Sequence, residues 1–244
     1  MEEISLKAQQ LFHIGSFPMT NGLLLTLVVS AILIIFSLYF RATLKMIPGK
    51  LQGAVEMGAE ALLNLMDSTL GSMEAAEKYF PLIATIFLFI WISNLLGIFP
   101  GVGSIELHDT PLFRSPAADL NFTLAFAVIS VIVTNIIGMA SVGIFAHLGK
   151  YFNFHGPIDF FIGILEMVSE LAKIISLSFR LFGNVFAGEV LMIIISYLAA
   201  YIIPLPFLFL EVFVGLIQAF IFATITLVSI SLHTTVHEHE EAHH

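Results

Sequence analysis

The chain has 244 residues, 58% of them hydrophobic and only 11% charged. A water-soluble domain carries roughly 25% charged residues, so a soluble globular fold is excluded and a bilayer protein is indicated. There is no cysteine, which removes disulfide frameworks and thiolate metal sites, and the net charge of -9 argues against nucleic acid as a partner.

The opening residues, MEEISLKAQQ, lack the basic start of a signal peptide, so Met1 is expected to begin the mature chain. Residues 1–21 then form a segment ahead of the first span. A helix crossing the hydrocarbon core needs about 20 apolar residues. Residues 22–40 meet this requirement, and next comes a basic connection with Arg41, Lys45 and Lys50. Residues 51–76 place Leu51, Val55, Leu62, Met66, Leu70 and Met73 at helical spacing, with Glu56, Glu60, Asn64 and Asp67 on the other side. This pattern predicts an amphipathic helix on the membrane surface, with a soluble connector helix as the alternative.

Residues 79–100 and 120–147 are further stretches free of formal charge. Asp119, in SPAADLNFTL, reads as an N-cap of the third span, and Asn135 as an interhelical hydrogen-bonding group. Residues 158–203 come next and end at the breaker PLP, followed by residues 207–232. A 46-residue helix over 158–203 is about 69 Å long, against a core of about 30 Å, so it must tilt steeply or break. The fold class is therefore an all-α integral membrane protein. It has about five membrane segments plus the amphipathic surface helix, and the last two segments form a long, strongly tilted helical hairpin. Residues 233–244 form a tail rich in His and Glu, which reads as a solvated tail in preference to a metal site.

Basic residues fix the expected orientation. Arg41, Lys45, Lys50 and Lys78 flank the first connection and Lys150 lies in the third, whereas the opposite side holds only Lys7 and Arg114. The amino terminus is expected outside and the carboxyl terminus in the cytoplasm.

From Ile174 to Val236 the only formal charges are Arg180, Glu189 and Glu211. Each mid-membrane charge costs roughly 2.5–3.5 kcal/mol on insertion scales, which makes an ion path the default reading. The structural alternative is a buried strut in which Arg180 pairs with an acid of its own chain, such as Glu211. At 100° per residue, Glu166, Ser169, Lys173, Ser176, Asn184 and Ala187 fall within about 40° of Arg180. Glu189 falls about 180° away and about 13.5 Å further along, so it and Arg180 serve different places. Glu211 and Gln218, seven residues apart, share one face of the last segment. Glu166, Glu170 and Lys173 mark one end of the hairpin, while Glu189 and Glu211 converge near the other. No nucleophile–base pair, glycine-rich phosphate loop or HExxH is present. A self-contained transporter would favour internal repeats, and no second copy of the RLFGN region exists.

ISLSFRLFGNVFAGE, the downstream LIQAFIFATITLVSISL, and the earlier NLLGIFPG and PAADLNFTLA together resemble subunit a of the membrane sector of F-type ATP synthase, over essentially the whole chain. The resemblance implies a proton-channel stator that is not an enzyme on its own. Two offset half-channels would serve the carboxylates of a rotating c-subunit ring, and Arg180 would be the essential stator arginine between them. Asn184 and Glu189 match outer half-channel positions, Gln218 the glutamine opposite the arginine, and Ser176, Lys173 and Glu166 polar positions on the cytoplasmic side. Glu211 falls where many relatives have histidine, which puts a histidine relay in doubt. Implied partners are the c ring, the b-subunit peripheral stalk, the other synthase subunits and membrane lipid. H⁺ is expected as the carried ion in preference to Na⁺. No cofactor or metal is expected. A bacterial inner membrane is preferred to a plastid thylakoid.

Overall fold

The computed structural model describes residues 9–15, 17–99, 105–107, 110–151, 156–198 and 202–234. Expectations for residues 1–8, for the end of the fourth segment at 199–201 and for the tail from 235 onward lie outside the described residues. Five helices are long and apolar enough to cross a membrane. The chain is an all-α integral membrane protein, decorated by two short hairpins.

The first hairpin pairs β1 (Gln10–Ile14) with β2 (Phe17–Thr20) and leads directly into α1 (Asn21–Thr43). Thr20 caps that helix, its hydroxyl accepting from the Leu23 amide at 3.2 Å. Asn21 is buried. Its Oδ1 accepts from the Gln9 and Gly22 amides, and its Nδ2 donates to the Pro111 carbonyl at 3.3 Å. Beyond this anchor α1 is largely exposed, with Leu27, Ile34, Ile35 and Phe36 facing outward. Lipid tails solvate such side chains as well as a protein core does, so no packing is needed to keep them there.

The amphipathic stretch forms α2 (Lys50–Leu70). It ends earlier than residue 76 because Gly71 takes a left-handed conformation (φ 78°), its N–H closing on the Asp67 carbonyl at 2.8 Å. Ser72 then caps α3 (Met73–Ile98), which therefore starts six residues ahead of the apolar stretch at 79. α2 lies docked on the bundle: Met66 is fully buried, Leu62, Leu63 and Leu70 pack on the core, and Ser231 donates to the Thr69 carbonyl at 3.0 Å.

A second small hairpin, β3 (Glu106–Leu107) with β4 (Thr110–Pro111), and a 3₁₀ turn at Pro116–Ala118 lead to α4 (Leu120–Val142). Asp119 caps α4, accepting from the Asn121 amide at 2.9 Å. The expected single segment over 120–147 is divided in the structure. Gly143, at φ 93° and ψ 147°, stops α4, and α5 (Ile144–Tyr151) turns away as a separate helix. That backbone conformation is essentially restricted to glycine. α5 folds back onto α4, where a Cβ on Gly138 would meet His147 at 2.8 Å.

α6 (Pro157–Leu198) is one continuous helix of 42 residues, about 63 Å at 1.5 Å per residue. α7 (Pro204–Thr234) has 31 residues. A rod twice the thickness of the hydrocarbon core fits only by lying oblique to it. α7 packs along α3 and α4, and α6 lies along α4 and α7. The buried seam combines Ile83, Ile86 and Ile90 of α3, Leu177, Leu181 and Val185 of α6, and Phe222, Leu227 and Ile230 of α7. Polar pairs stitch the helices together within it. Asn94 donates to the Gly215 carbonyl at 3.2 Å, Ser130 meets Thr226 at 2.9 Å, and Thr123 meets Ser178 at 3.1 Å. Such interhelical bonds contribute about 0.6 kcal/mol each on average.

Candidate functional site

α6 buries one side, through Leu177, Leu181 and Val185, and leaves the opposite side bare. Ser169, Ala172, Ser176, Phe179, Arg180, Gly183 and Ala187 are all exposed along that bare side. Arg180 donates from Nη2 to the Ser176 hydroxyl at 3.2 Å, one turn back along its own helix. Among the described residues no carboxylate is ion-paired with it. The strut alternative, with Glu211 as partner, is therefore not what this fold builds. Nothing approaches within 4 Å of the position a Cβ would take on Gly183. The guanidinium thus stands over an open, small-residue surface, with Asn184 half-buried beside it.

Toward the carboxyl end of α6 the acids behave differently. Glu189 is held in a two-pronged grip by Arg114, Nε to Oε1 at 3.1 Å and Nη2 to Oε2 at 2.9 Å. The arginine side chain is only 10% exposed and that of the glutamate 34%. Such parallel donors match the geometry of a carboxylate and hold it more firmly than a point charge would. Glu211 of α7 lays its carboxyl group over Gly188, in the space a side chain there would fill. Glu189 and Glu211 are therefore brought to one place, next to Arg114. Sequence reading counted Arg114 only as a charge between spans. The one signal for its role was a lone arginine immediately ahead of the PAADLN cap.

On the amino-terminal side of Arg180, Lys173 donates to Glu170 Oε1 at 2.6 Å and to the Ser229 hydroxyl at 3.2 Å. His233 of α7 faces the same oxygen with Nε2 at 3.5 Å, and Glu166 lies alongside. Behind His233 sits His147 of α5, their rings edge to face with centroids 5.2 Å apart. His147 Nε2 and the Tyr151 hydroxyl both meet Asn135 Oδ1, at 3.0 and 2.9 Å. Burial, aided by His233 and Lys150, pushes the His147 imidazole below its usual value. Burial together with Glu170 and Glu166 pushes the Tyr151 phenol up to about 12, which keeps its hydrogen for Asn135. His233 and His147 were not among the candidate residues, and Glu170 was named only as marking this end of the hairpin. A lone histidine on an apolar helix gives no sign of which neighbour it will meet.

The predicted residues thus fall into three groups along the hairpin. Lys173 lies about 10.5 Å before Arg180 along the axis, and Glu189 about 13.5 Å after it. Gln218 is half-buried on α7, one face with Glu211. The arrangement consists of two polar clusters, each with its own counter-charges, separated by an apolar stretch that holds one exposed, unneutralised cation.

The family model described as ATP synthase A chain matches residues 23–231. The chain is similar to ATP synthase subunit a of Campylobacter concisus (strain 13826), 34% identical over 87% of this chain and 88% of that one. It is 33% identical to ATP synthase subunit a of Trichlorobacter lovleyi over 94% of each. It is 35% identical to ATP synthase subunit a 1 of Pelobacter propionicus over 84% of this chain and 83% of the other.

Proposed function

The chain belongs to the ATP synthase A chain family, and from that premise we propose that it is the stationary proton path of the membrane sector. One half-channel runs past Glu189, Glu211 and Asn184 from the outer side, and the other past Glu166, Lys173 and Ser176 to the cytoplasm. Arg180 stands between them, with Gln218 opposite. The partner at the bare side of α6 is a rotating ring of c subunits, each with a carboxylate at mid-membrane depth. The remaining partners are the b-subunit stalk, other synthase subunits and lipid. The basic connections favour an amino terminus outside and a carboxyl terminus in the cytoplasm. The similar chains from Campylobacter and Trichlorobacter favour a bacterial inner membrane.

The single observation that carries this reading is Arg180 exposed on a bare helix side with no acid paired to it among the described residues. Arginine keeps its proton in proteins, so the charge is permanent. A ring carboxylate about 4 Å away would gain about 4 kcal/mol at an effective dielectric of 20. That corresponds to roughly three pKa units in favour of the ionised form. Near Arg180 the ring site gives up its proton to the cytoplasmic path. Beyond it the site is recharged from the outer path before turning into lipid. The same cation repels a proton hopping directly between the two paths. An elementary charge crossing 100 mV releases about 2.3 kcal/mol, and blocking the shortcut forces that energy into rotation.

The test is Arg180→Ala in the assembled complex. ATP-driven proton pumping should be abolished while passive proton leak through the membrane sector persists. Intact coupled synthesis in that variant rejects the assignment.

A further inference from the structure

The cluster where α5 folds back contains three potential ligand atoms. Glu166 and Glu170 of α6 and His233 of α7 each bring one such atom within 4.8 Å of the others. Glu170 is 8% exposed and His233 2%, and Glu170 Oε2 is buried without a hydrogen-bond partner. His233 Nε2 stands 3.5 Å from Glu170 Oε1. That is longer than the hydrogen-bond range of about 2.7–3.2 Å. It is close to the separation of two ligands on one tetrahedral ion, about 3.4 Å for metal–ligand bonds of about 2.1 Å. Glu166 is the most exposed of the three, which leaves a way in for an ion and a place for water in its coordination.

We propose that Glu166, Glu170 and His233 form a binding site for one divalent transition ion of the zinc type, in which Lys173 is the resident counter-cation when the ion is absent. The donor set argues for this class. One imidazole and two carboxylates suit zinc and its neighbours, whereas calcium and magnesium prefer all-oxygen shells of higher coordination number. Lys173 occupies Glu170 Oε1 at 2.6 Å and has a second partner in Ser229 at 3.2 Å. It therefore has an acceptor to retain when an ion takes the carboxylate. Lys150 of α5 acts on Glu166 at longer range. An ion here competes with ammonium groups, so affinity is set by a balance that mutation can tip in either direction.

The experiment is a Co²⁺ titration of the assembled membrane sector, read by visible d–d absorption and followed by displacement with Zn²⁺. His237, His239, His243 and His244 are replaced by Asn throughout so that the tail does not compete. One Co²⁺ per chain is expected, with the intense band of low-coordinate ligation, lost on adding Zn²⁺. Glu166→Gln and His233→Gln should each weaken binding at least about tenfold, and Lys173→Gln should strengthen it. Glu166 is the least buried ligand, so its variant tests the site without disturbing the core. Unchanged affinity and spectrum in Glu166→Gln and His233→Gln, or weaker binding in Lys173→Gln, overturns the proposal. Because the readout is ion binding, its failure leaves the proton-path reading untouched.

Discussion

From Ile174 to Thr234 the hairpin holds three residues of formal charge, and the fold treats them differently. Glu189 is neutralised by Arg114 from the segment ahead of α4. Glu211 is tucked over a glycine. Among the described residues, Arg180 has only a hydroxyl as partner. Only the third is left needing something from another molecule, which is why the functional reading rests on it. For the acids, the consequence falls on Arg114. In Arg114→Gln the fork is lost, and Glu189 is left half-buried beside Glu211 with its counter-charge removed. With the fork gone, the Glu189 carboxylate loses the donors that fix its orientation beside Glu211. Passive proton conduction, measured by dye quenching in vesicles stripped of the soluble sector, should fall several-fold, while ATP hydrolysis and rotation remain coupled. Conduction equal to wild type at every pH would remove Arg114 from the path. None of this pairing was legible in the sequence. Helical periodicity orders residues within one helix, and Arg114 lies 75 positions from Glu189. Arg180, Glu189 and Glu211 themselves were legible, because a charge in an apolar run stands out without any knowledge of the fold.

Among the elements, the division of the third segment into α4 and α5 is the clearest case of sequence and structure parting. SVGIFAHLGKY continues the hydrophobic run without a charge until Lys150, so the apolar content alone extends the span. The turn depends on one backbone angle at Gly143, which hydropathy does not encode. The result is functional packing rather than a longer span, because α5 brings His147 against Gly138 and His233. His147 is held below its ordinary value by burial, with His233 and Lys150 adding to the effect and Glu170 and Glu166 opposing it. A histidine depressed in the folded state binds fewer protons there than when α5 is undocked. The docking it supports is therefore complete above the undocked value of about 6.5 and weakens as pH falls through it. Amide exchange in residues 144–151 should be faster at pH 5.5 than at pH 7.5, and His147→Gln should flatten that difference. Equal protection of α5 at both pH values in the wild type would show that His147 does not govern its docking. The opposite boundary, between α2 and α3, follows simpler chemistry. Gly71 and Ser72 are an ordinary stop and start, and they were readable as such had hydrophobic spacing not carried through them to Met73.

At the scale of the whole molecule, the polar clusters flank the middle of α6, and the bare side of that helix lies between them. About 24 Å of helix axis separates Lys173 from Glu189, and the intervening buried positions are Leu177, Ser178, Leu181 and Val185, with Ser178 paired to Thr123. On the proposed reading, a proton crosses with a carrier that moves along the exposed side, past Ser176, Arg180, Gly183 and Ala187. Small residues beyond the arginine allow another helix to approach closely, as small side chains do at helix contacts in lipid. The chain reconstituted alone in liposomes should accordingly show no proton flux above the lipid background under an imposed potential of 100 mV. Co-reconstitution with the c ring should produce flux, and that flux should disappear when the ring carboxylate is replaced by an amide. A self-contained transporter would give the reverse pattern, conducting alone and ignoring the ring. Flux by the isolated chain would mean that a continuous path exists within its own helices, and that the bare side of α6 faces lipid rather than a moving acid.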